Sequence, residues 1–393
     1  MKAVKRLLAS ALVLLMVGCG QSAESAPPAA STVTEGQEQR MEGLLTAWDG
    51  QRYYTKENVI CDSADMTARP LKLSGTVQEL LEGYPVTDGQ FLYYSTASVW
   101  EEAQRRGQMW RSNLDGTEAE LIWQGEPGTR EMPLGASLNG WSDNILRLTV
   151  FRQQGAVWFF IGKEGWITSP QVFRCEDGQA AAQPVEYPEP LPVAEFAGEM
   201  DGQPVFRSFR EESSVYWQLE LATGAIRELA VFPGLVYSNL LIRDGMLYLQ
   251  DTESGELSVV DLASGERRVL WSPEDPEKKL WLQYVWGDHA FLIYDKRPIR
   301  CYSLDLNDGS VTEVTLRGSR ESDGGEFVVY ARAPLGDCYV VVYRRGDRTS
   351  LAMNSLGEPM QWQDEPVEYA LIEAEDYWNN VPEYRPFTWV DDG

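Results

Sequence analysis

Four segments of this chain repeat one plan: a strand of alternating apolar residues, a polar or charged stop, a turn containing glycine, and a second strand that closes on an apolar side chain. They read MWRSNLDGTEAELIW from Met109, YWQLELATGAIRELAVF from Tyr216, LSVVDLASGERRVLW from Leu257 and CYSLDLNDGSVTEVTL from Cys301. Each predicts a β-hairpin. A tight turn demands positive φ, and Gly116, Gly224, Gly265 or Gly309 supplies it without strain. Hairpins that recur along a chain and cannot bury their own faces must stack on one another, and radial stacking gives a β-propeller. The expected class is therefore all-β, a propeller of four-stranded antiparallel blades.

The cleanest unit sets the frame: Val236 to Ile242, Met246 to Gln250, Leu257 to Leu262 and Arg267 to Trp271, with turns at Gly245, Gly255 and Gly265. The next unit places Leu280 to Trp286, Ala290 to Tyr294, Ile299 to Leu304 and Val311 to Leu316. From Asp244 to Gly287 is 43 residues, the period of a four-stranded blade. Extending the frame both ways gives seven blades. The first is Leu44 to Trp48, Arg52 to Thr55, Val59 to Asp62 and Pro70 to Leu73. The last is Phe327 to Ala331, Cys338 to Tyr343, Ser350 to Asn354 and Pro359 to Trp362. Six blades result if the first segment is a tether strand, and eight if the tail from Glu368 to Val390 forms a blade. The tail carries Tyr369, Tyr377, Trp378, Tyr384, Phe387 and Trp389, so it is expected to pack on the ring or to close it, since an open ring leaves unpaired strand edges.

Residues 1–18 read as a targeting segment, with Lys2, Lys5 and Arg6 before an apolar run from Leu7 to Val17. Residues 19–42 are Ser-, Thr- and Pro-rich with little apolar bulk, which predicts a flexible tether. The domain expectation is then propeller over 43–367 and aromatic tail over 368–393. Removing 1–18 takes three of 34 basic residues and none of the 60 acidic ones, moving the formal charge from −26 to about −29. That charge argues against nucleic acid as a partner. Cys61, Cys175, Cys301 and Cys338 remain in the domain, with no Cys-x-x-Cys to suggest a metal or redox site; buried free thiols are expected for most of them.

The sequence Met16-Val17-Gly18-Cys19 resembles the lipobox of bacterial lipoproteins, with Met16 where that family usually has Leu. The resemblance implies acylation of Cys19 and an extracytoplasmic protein held at the bacterial cell membrane by lipid. SNLDGTEAELIW and VVDLASGERRVLW are similar to the repeats of TolB-like propellers, a likeness covering about residues 88 to 362, and the whole resembles WD40-like repeat lipoproteins of anaerobic Gram-positive bacteria. It implies a binding scaffold and carries over no catalytic residue, because the matched positions are turns and core.

Chemistry-bearing motifs are few. His289 is the one histidine, at the start of an apolar strand, so any Ser-His-Asp or Cys-His arrangement would have to use it; a strand-edge role is expected. No Gly-x-Ser-x-Gly elbow occurs. Asp88, Asp115, Asp201, Asp244, Asp288 and Asp337 adjoin turn glycines, where a carboxylate bonds its own backbone. Ser112 to Gly116 has the ingredients of a sialidase repeat at the wrong spacing. Asp305, Asn307 and Asp308 fall one residue short of an EF-hand loop and lack its terminal Glu. Most of the 14 tryptophans, among them Trp110, Trp123, Trp158, Trp217, Trp271, Trp281 and Trp286, lie where blades pack. Trp100, Trp141 and Trp166 sit in irregular stretches and are the candidate binding aromatics; the long connections 97–107, 125–144 and 180–192 are where a propeller diversifies its faces. Catalytic residues, metal and cofactor are expected to be absent. The functional expectation is a monomeric, lipid-anchored scaffold that binds an envelope protein, a peptide or a glycan. A carbohydrate-active enzyme with two funnel carboxylates and an envelope assembly factor are the alternatives.

Overall fold

Strand pairing sorts the chain into seven antiparallel blades in sequence order, each built outward from an inner strand at the axis of the ring. The computed structural model describes residues 45–390 apart from 56, 74–84, 98–103, 106, 126–127, 130–145, 164–169, 234–236, 244, 252, 275–278, 295–299, 347, 354–358 and 365. These belong to one unit, Glu35–Gly393; residues 1–34 form another and lie outside the described residues, as does Cys19.

The regular blades follow the hairpin plan. Blade three is Leu146–Gln153, Ala156–Lys163, Gln171–Glu176 and Gln183–Pro184. Blade four is Glu195–Met200, Gln203–Arg210, Ser213–Leu219 and Ile226–Pro233. Blade five is Tyr237–Arg243, Met246–Asp251, Leu257–Asp261 and Arg267–Trp271, and blade six is Trp281–Trp286, His289–Tyr294, Arg300–Asp305 and Val311–Val314. Blade two has Val86–Thr87, Leu92–Ala97, Gly107–Ser112 and Glu120–Gln124. The four hairpins of the sequence are the outer two strands of blades two, four, five and six, and their glycines have φ of 86°, 76°, 75° and 76°.

Two blades differ from expectation. In blade one the bridge Trp48↔Tyr53 precedes Arg52–Tyr54, Val59–Asp62 and Thr67–Pro70, so the last strand begins earlier than Pro70. Its turn, Ser63 to Met66, has no glycine: Met66 takes φ of 57°, while Asp62 and Asp65 accept the backbone N–H groups of Ala64 and Thr67. In blade seven the inner strand is Ala331–Leu335 and the next is Cys338–Arg345. The third and fourth are Val367–Glu373 and Arg385–Pro386, not the segments near Ser350 and Pro359. Those segments form a separate hairpin, Arg348–Met353 with Pro359–Asp364, inserted between the second and third strands.

Seven buried clusters, one for each pair of neighbouring blades, make the core of the described residues. Blade seven shows why. Along Cys338–Arg345, Cys338, Val340 and Val342 pack towards blade one, whereas Tyr339 and Val341 pack towards blade six. Side chains alternate across a strand, so a strand sandwiched between two blades must be apolar on both faces. Each fully buried Leu, Val or Phe contributes about 1.5–3 kcal/mol. The ring is closed by the blade-one/blade-seven cluster, by Thr388–Trp389 pairing in parallel with Thr67 and Ala68 of blade one, and by the Tyr369 hydroxyl donating to Glu57 at 2.8 Å.

Polar side chains also tie blades together. Gln250 of blade five is fully buried; its Nε2 donates to the Leu280 carbonyl and its Oε1 accepts from the Leu282 N–H at 2.8 Å, pairing with the backbone at the start of blade six. Gln153 of blade three donates to the Gly202 carbonyl of blade four at 2.8 Å. All four domain cysteines are buried and unpaired, spread over three of the clusters.

Candidate functional site

An antiparallel four-stranded blade puts its first and third turns at one end of the ring, and its second turn plus the link to the next blade at the other. The first end is a face of short turns, save for the helix Ala374–Trp378 in blade seven. Its aspartates are turn residues: Asp88 accepts from the N–H groups of Gln90 and Phe91, Asp115 from Thr117 and Asp261 from Ala263 and Ser264. The Thr117 hydroxyl and N–H, donating to Asp115, and the Ser264 and Ala263 N–H groups, donating to Asp261, hold these carboxyls below their usual pKa. Asp305 and Asp308 likewise accept from Asn307 and Ser310, closing a hairpin turn. Asp244 lies outside the described residues. His289 stands on this face with its ring stacked on Trp378, 4.7 Å between centroids, and the Trp378 indole N–H donates to the Tyr339 hydroxyl.

The second end carries the additions. Gln104–Arg105, from the second turn of blade two, pairs with Gly128–Thr129 from the link to blade three. Arg317–Arg320 and Glu326–Val328 form a hairpin in the link from blade six to blade seven, and Ser319 and Arg320 pair in parallel with Arg344 and Arg345. The inserted hairpin 348–364 leaves from the same strand end. Trp100, Trp141 and Trp166 fall in connections of blades two and three, outside the described residues.

At blade seven this loop face is a network of arginines, acids and rings. Arg344 pairs with Glu321 and, at 3.5 Å, with Glu368, whose other oxygen accepts from the Tyr343 hydroxyl at 3.0 Å. Burial, and then the Glu368 bond, push the Tyr343 phenol up. The Arg345 guanidinium lies 4.8 Å from the centre of the Phe327 ring.

The axis offers a second set of groups, unmarked in the sequence. In blades four, five, six and seven the inner strand slips register against its neighbour, between Phe196 and Gly198, Tyr237 and Leu240, Leu282 and Tyr284, and Ala331 and Ala333. A bulge inserts a residue that the ladder does not hold and re-aims its side chain. In blade six that residue is Gln283. Leu282 packs into the cluster shared with blade five and Tyr284 into the one shared with blade seven, which leaves Gln283 the free edge of the strand. In blade seven it is Arg332, between Ala331 in the blade-six cluster and Ala333 in the blade-one cluster. The two bulges are joined directly, since the Tyr284 hydroxyl donates to the Ala331 carbonyl at 3.2 Å. Arg332 lies 5.6 Å from the centre of the Tyr330 ring, which Phe291 meets edge-on. Burial raises the Tyr330 phenol, against the opposing charges of Arg332 and Arg345. Both bulged residues lie on the part of their strands nearer the loop face.

Among the described residues no group of three His, Cys, Asp or Glu side chains is arranged to hold a metal ion.

No family model and no curated protein sequence matches the chain. Among solved structures, an oligogalacturonate lyase in complex with manganese is similar over 67% of this chain and 73% of its own, at 11% identity and a TM-score of 0.42. A prolyl endopeptidase is similar over 85% of this chain at 11% identity and a TM-score of 0.41; the chain spans about half the length of that protein, 47%. TolB from Acinetobacter baumannii is similar over 75% of this chain and 79% of its own, at 11% identity and a TM-score of 0.31. Likenesses of this size carry no ligand or activity across.

Proposed function

We propose that this protein is a lipid-anchored, extracytoplasmic propeller that serves as a binding scaffold for an envelope protein, peptide or glycan. The observation that carries the reading is the division of labour between the two faces. One is made of short, self-bonded turns, while the other bears three added β-pairs. Recognition is built on connections that a rigid scaffold holds in place, because connections accept new side chains without disturbing the ladders. The lipobox-like Met16-Val17-Gly18-Cys19 supports the anchoring half, and the acidic balance of the chain favours a soluble, hydrated exterior.

Two experiments test the halves separately. Metabolic labelling with a radioactive fatty acid should mark the wild type and not Cys19→Ala, and the variant should leave the membrane fraction; label on both would overturn the anchoring. Capture from detergent-solubilised envelope should recover a partner with the wild type. Capture should fail when the 348–364 hairpin is replaced by a short Gly-Ser link in a protein of unchanged melting temperature. Recovery of nothing by the wild type, or equal recovery by both, would overturn the scaffold role of this face.

A further inference from the structure

We infer that the paired bulges of blades six and seven form a binding site for a small carboxylate, with Arg332 as its fork and Gln283 as its second polar contact. The inference rests on the loop face being the recognition face, and it names a ligand chemistry for that face.

Arg332 carries five N–H donors in a planar array, and among the described residues no carboxylate engages it; its contact is the Tyr330 ring. It is partly buried, and the other described guanidiniums of this region have ion-pair or further contacts: Arg320 with Asp323, Arg344 with Glu321 and Glu368, Arg345 over Phe327. A cation kept partly out of water with one face on an aromatic ring retains an in-plane edge for a bidentate anion. Gln283 precedes Tyr284, whose hydroxyl donates to the carbonyl of Ala331, the residue before Arg332. Among the described residues the Gln283 Nε2 reaches the Trp281 and Leu282 carbonyls, each at 3.3 Å, and none donates to Oε1, which can accept a ligand hydroxyl or amide N–H. The strand geometry holds both groups: each is flanked by residues locked into opposite inter-blade cores, so neither can withdraw into the interior.

The shape of the fork selects the ligand. A single guanidinium plane suits a planar monoanionic group that it can grip with two parallel hydrogen bonds, rather than a tetrahedral phosphate.

Calorimetric titration of the purified full-length chain with acetate, lactate and inorganic phosphate, at low ionic strength, tests this. The wild type should bind a carboxylate saturably and more tightly than phosphate. Arg332→Gln should weaken it at least ten-fold, Arg332→Lys should lose most of the affinity because an ammonium cannot fork, and Gln283→Leu should lose about three-fold. If Arg332→Gln does not fold, the lysine variant with an unchanged melting temperature decides. No saturable carboxylate binding, tighter phosphate binding, or unchanged affinity in the arginine variants would overturn the site. Because the titration contains no partner protein and no membrane, its failure leaves the capture result standing, and a failed capture leaves the titration standing.

Discussion

The repeated turn glycine offers a controlled experiment in which four positions share a backbone conformation and differ in what surrounds them. Gly116, Gly224, Gly265 and Gly309 all have φ between 75° and 86°. A Cβ at Gly265 would meet nothing within 4 Å; at Gly309 it would lie 3.4 Å from the Leu270 carbonyl oxygen, at Gly224 2.4 Å from the Tyr187 ring and at Gly116 2.5 Å from the Lys72 carbonyl oxygen. Alanine at Gly265 should therefore cost only the left-handed conformation, about 1–2 kcal/mol. At Gly116 and Gly224 a further overpacking cost of about 1–3 kcal/mol applies, for a total of about 2–5 kcal/mol, and Gly309 should fall between. Urea unfolding of the four variants, read as midpoint with the slope checked for constancy, measures the order. Gly224 supplies an internal control, since its obstacle is a side chain: Tyr187→Ala combined with Gly224→Ala should show a favourable coupling of about 1–2 kcal/mol in a double-mutant cycle. No such relief exists at Gly116, where the obstacle is backbone. If Gly116→Ala and Gly224→Ala lose no more than Gly265→Ala, then these turns do not abut the preceding blade and the inter-blade packing is wrong.

Other consequences can be checked as directly. Gln250→Leu keeps the volume and removes both bonds to the backbone at Leu280 and Leu282; a loss of about 2–4 kcal/mol in urea unfolding is expected, and a neutral result would show that the amide is not an inter-blade tie. The carboxyls of Asp65, Asp115, Asp251, Asp261, Asp308 and Asp323 are held below their ordinary pKa by turn hydrogen bonds. Their contribution to stability is therefore complete above the unfolded value of about 3.9 and is lost as pH falls through the lower folded values, so unfolding midpoints should be flat near neutrality and fall steeply below about pH 4. Tyr369→Phe removes the hydroxyl that reaches Glu57 across the ring closure and should cost about 1–2 kcal/mol by thermal or urea melts, with the blade-one amides losing hydrogen-exchange protection before those of blade five.

The architecture was legible in the sequence wherever a turn announced itself chemically. Alternation plus Gly116, Gly224, Gly265 and Gly309 located the outer hairpins of four blades, because positive φ leaves a mark in residue choice. Where the chain bought the same turn with Met66, no such mark existed and the strand was placed too late. Blade seven failed for a different reason. The inserted hairpin 348–364 has the same strand–turn–strand grammar as a true blade edge. Only the long-range pairing of Val340 with Leu371 tells the two apart, and local periodicity holds no information on it. The bulges were less visible still: Gln283 and Arg332 sit in runs that read as ordinary strands, and one extra residue against a partner strand shows only when both strands are aligned. The aromatic candidates Trp100, Trp141 and Trp166 lie outside the described residues.

Thr388 and Trp389, within the last six residues of the chain, sit beside Thr67 and Ala68 near its start. During synthesis each blade can pack on its predecessor as it emerges, yet the edge at Thr67 and Ala68 stays unpaired until the segment around Thr388 has been made. A chain lacking the Thr388–Trp389 strand would keep that edge of blade one bare, the kind of surface that proteases and chaperones recognise. The stitch ties the protection of the first blade to a strand more than three hundred residues away, so that blade one is finished last although it is made first.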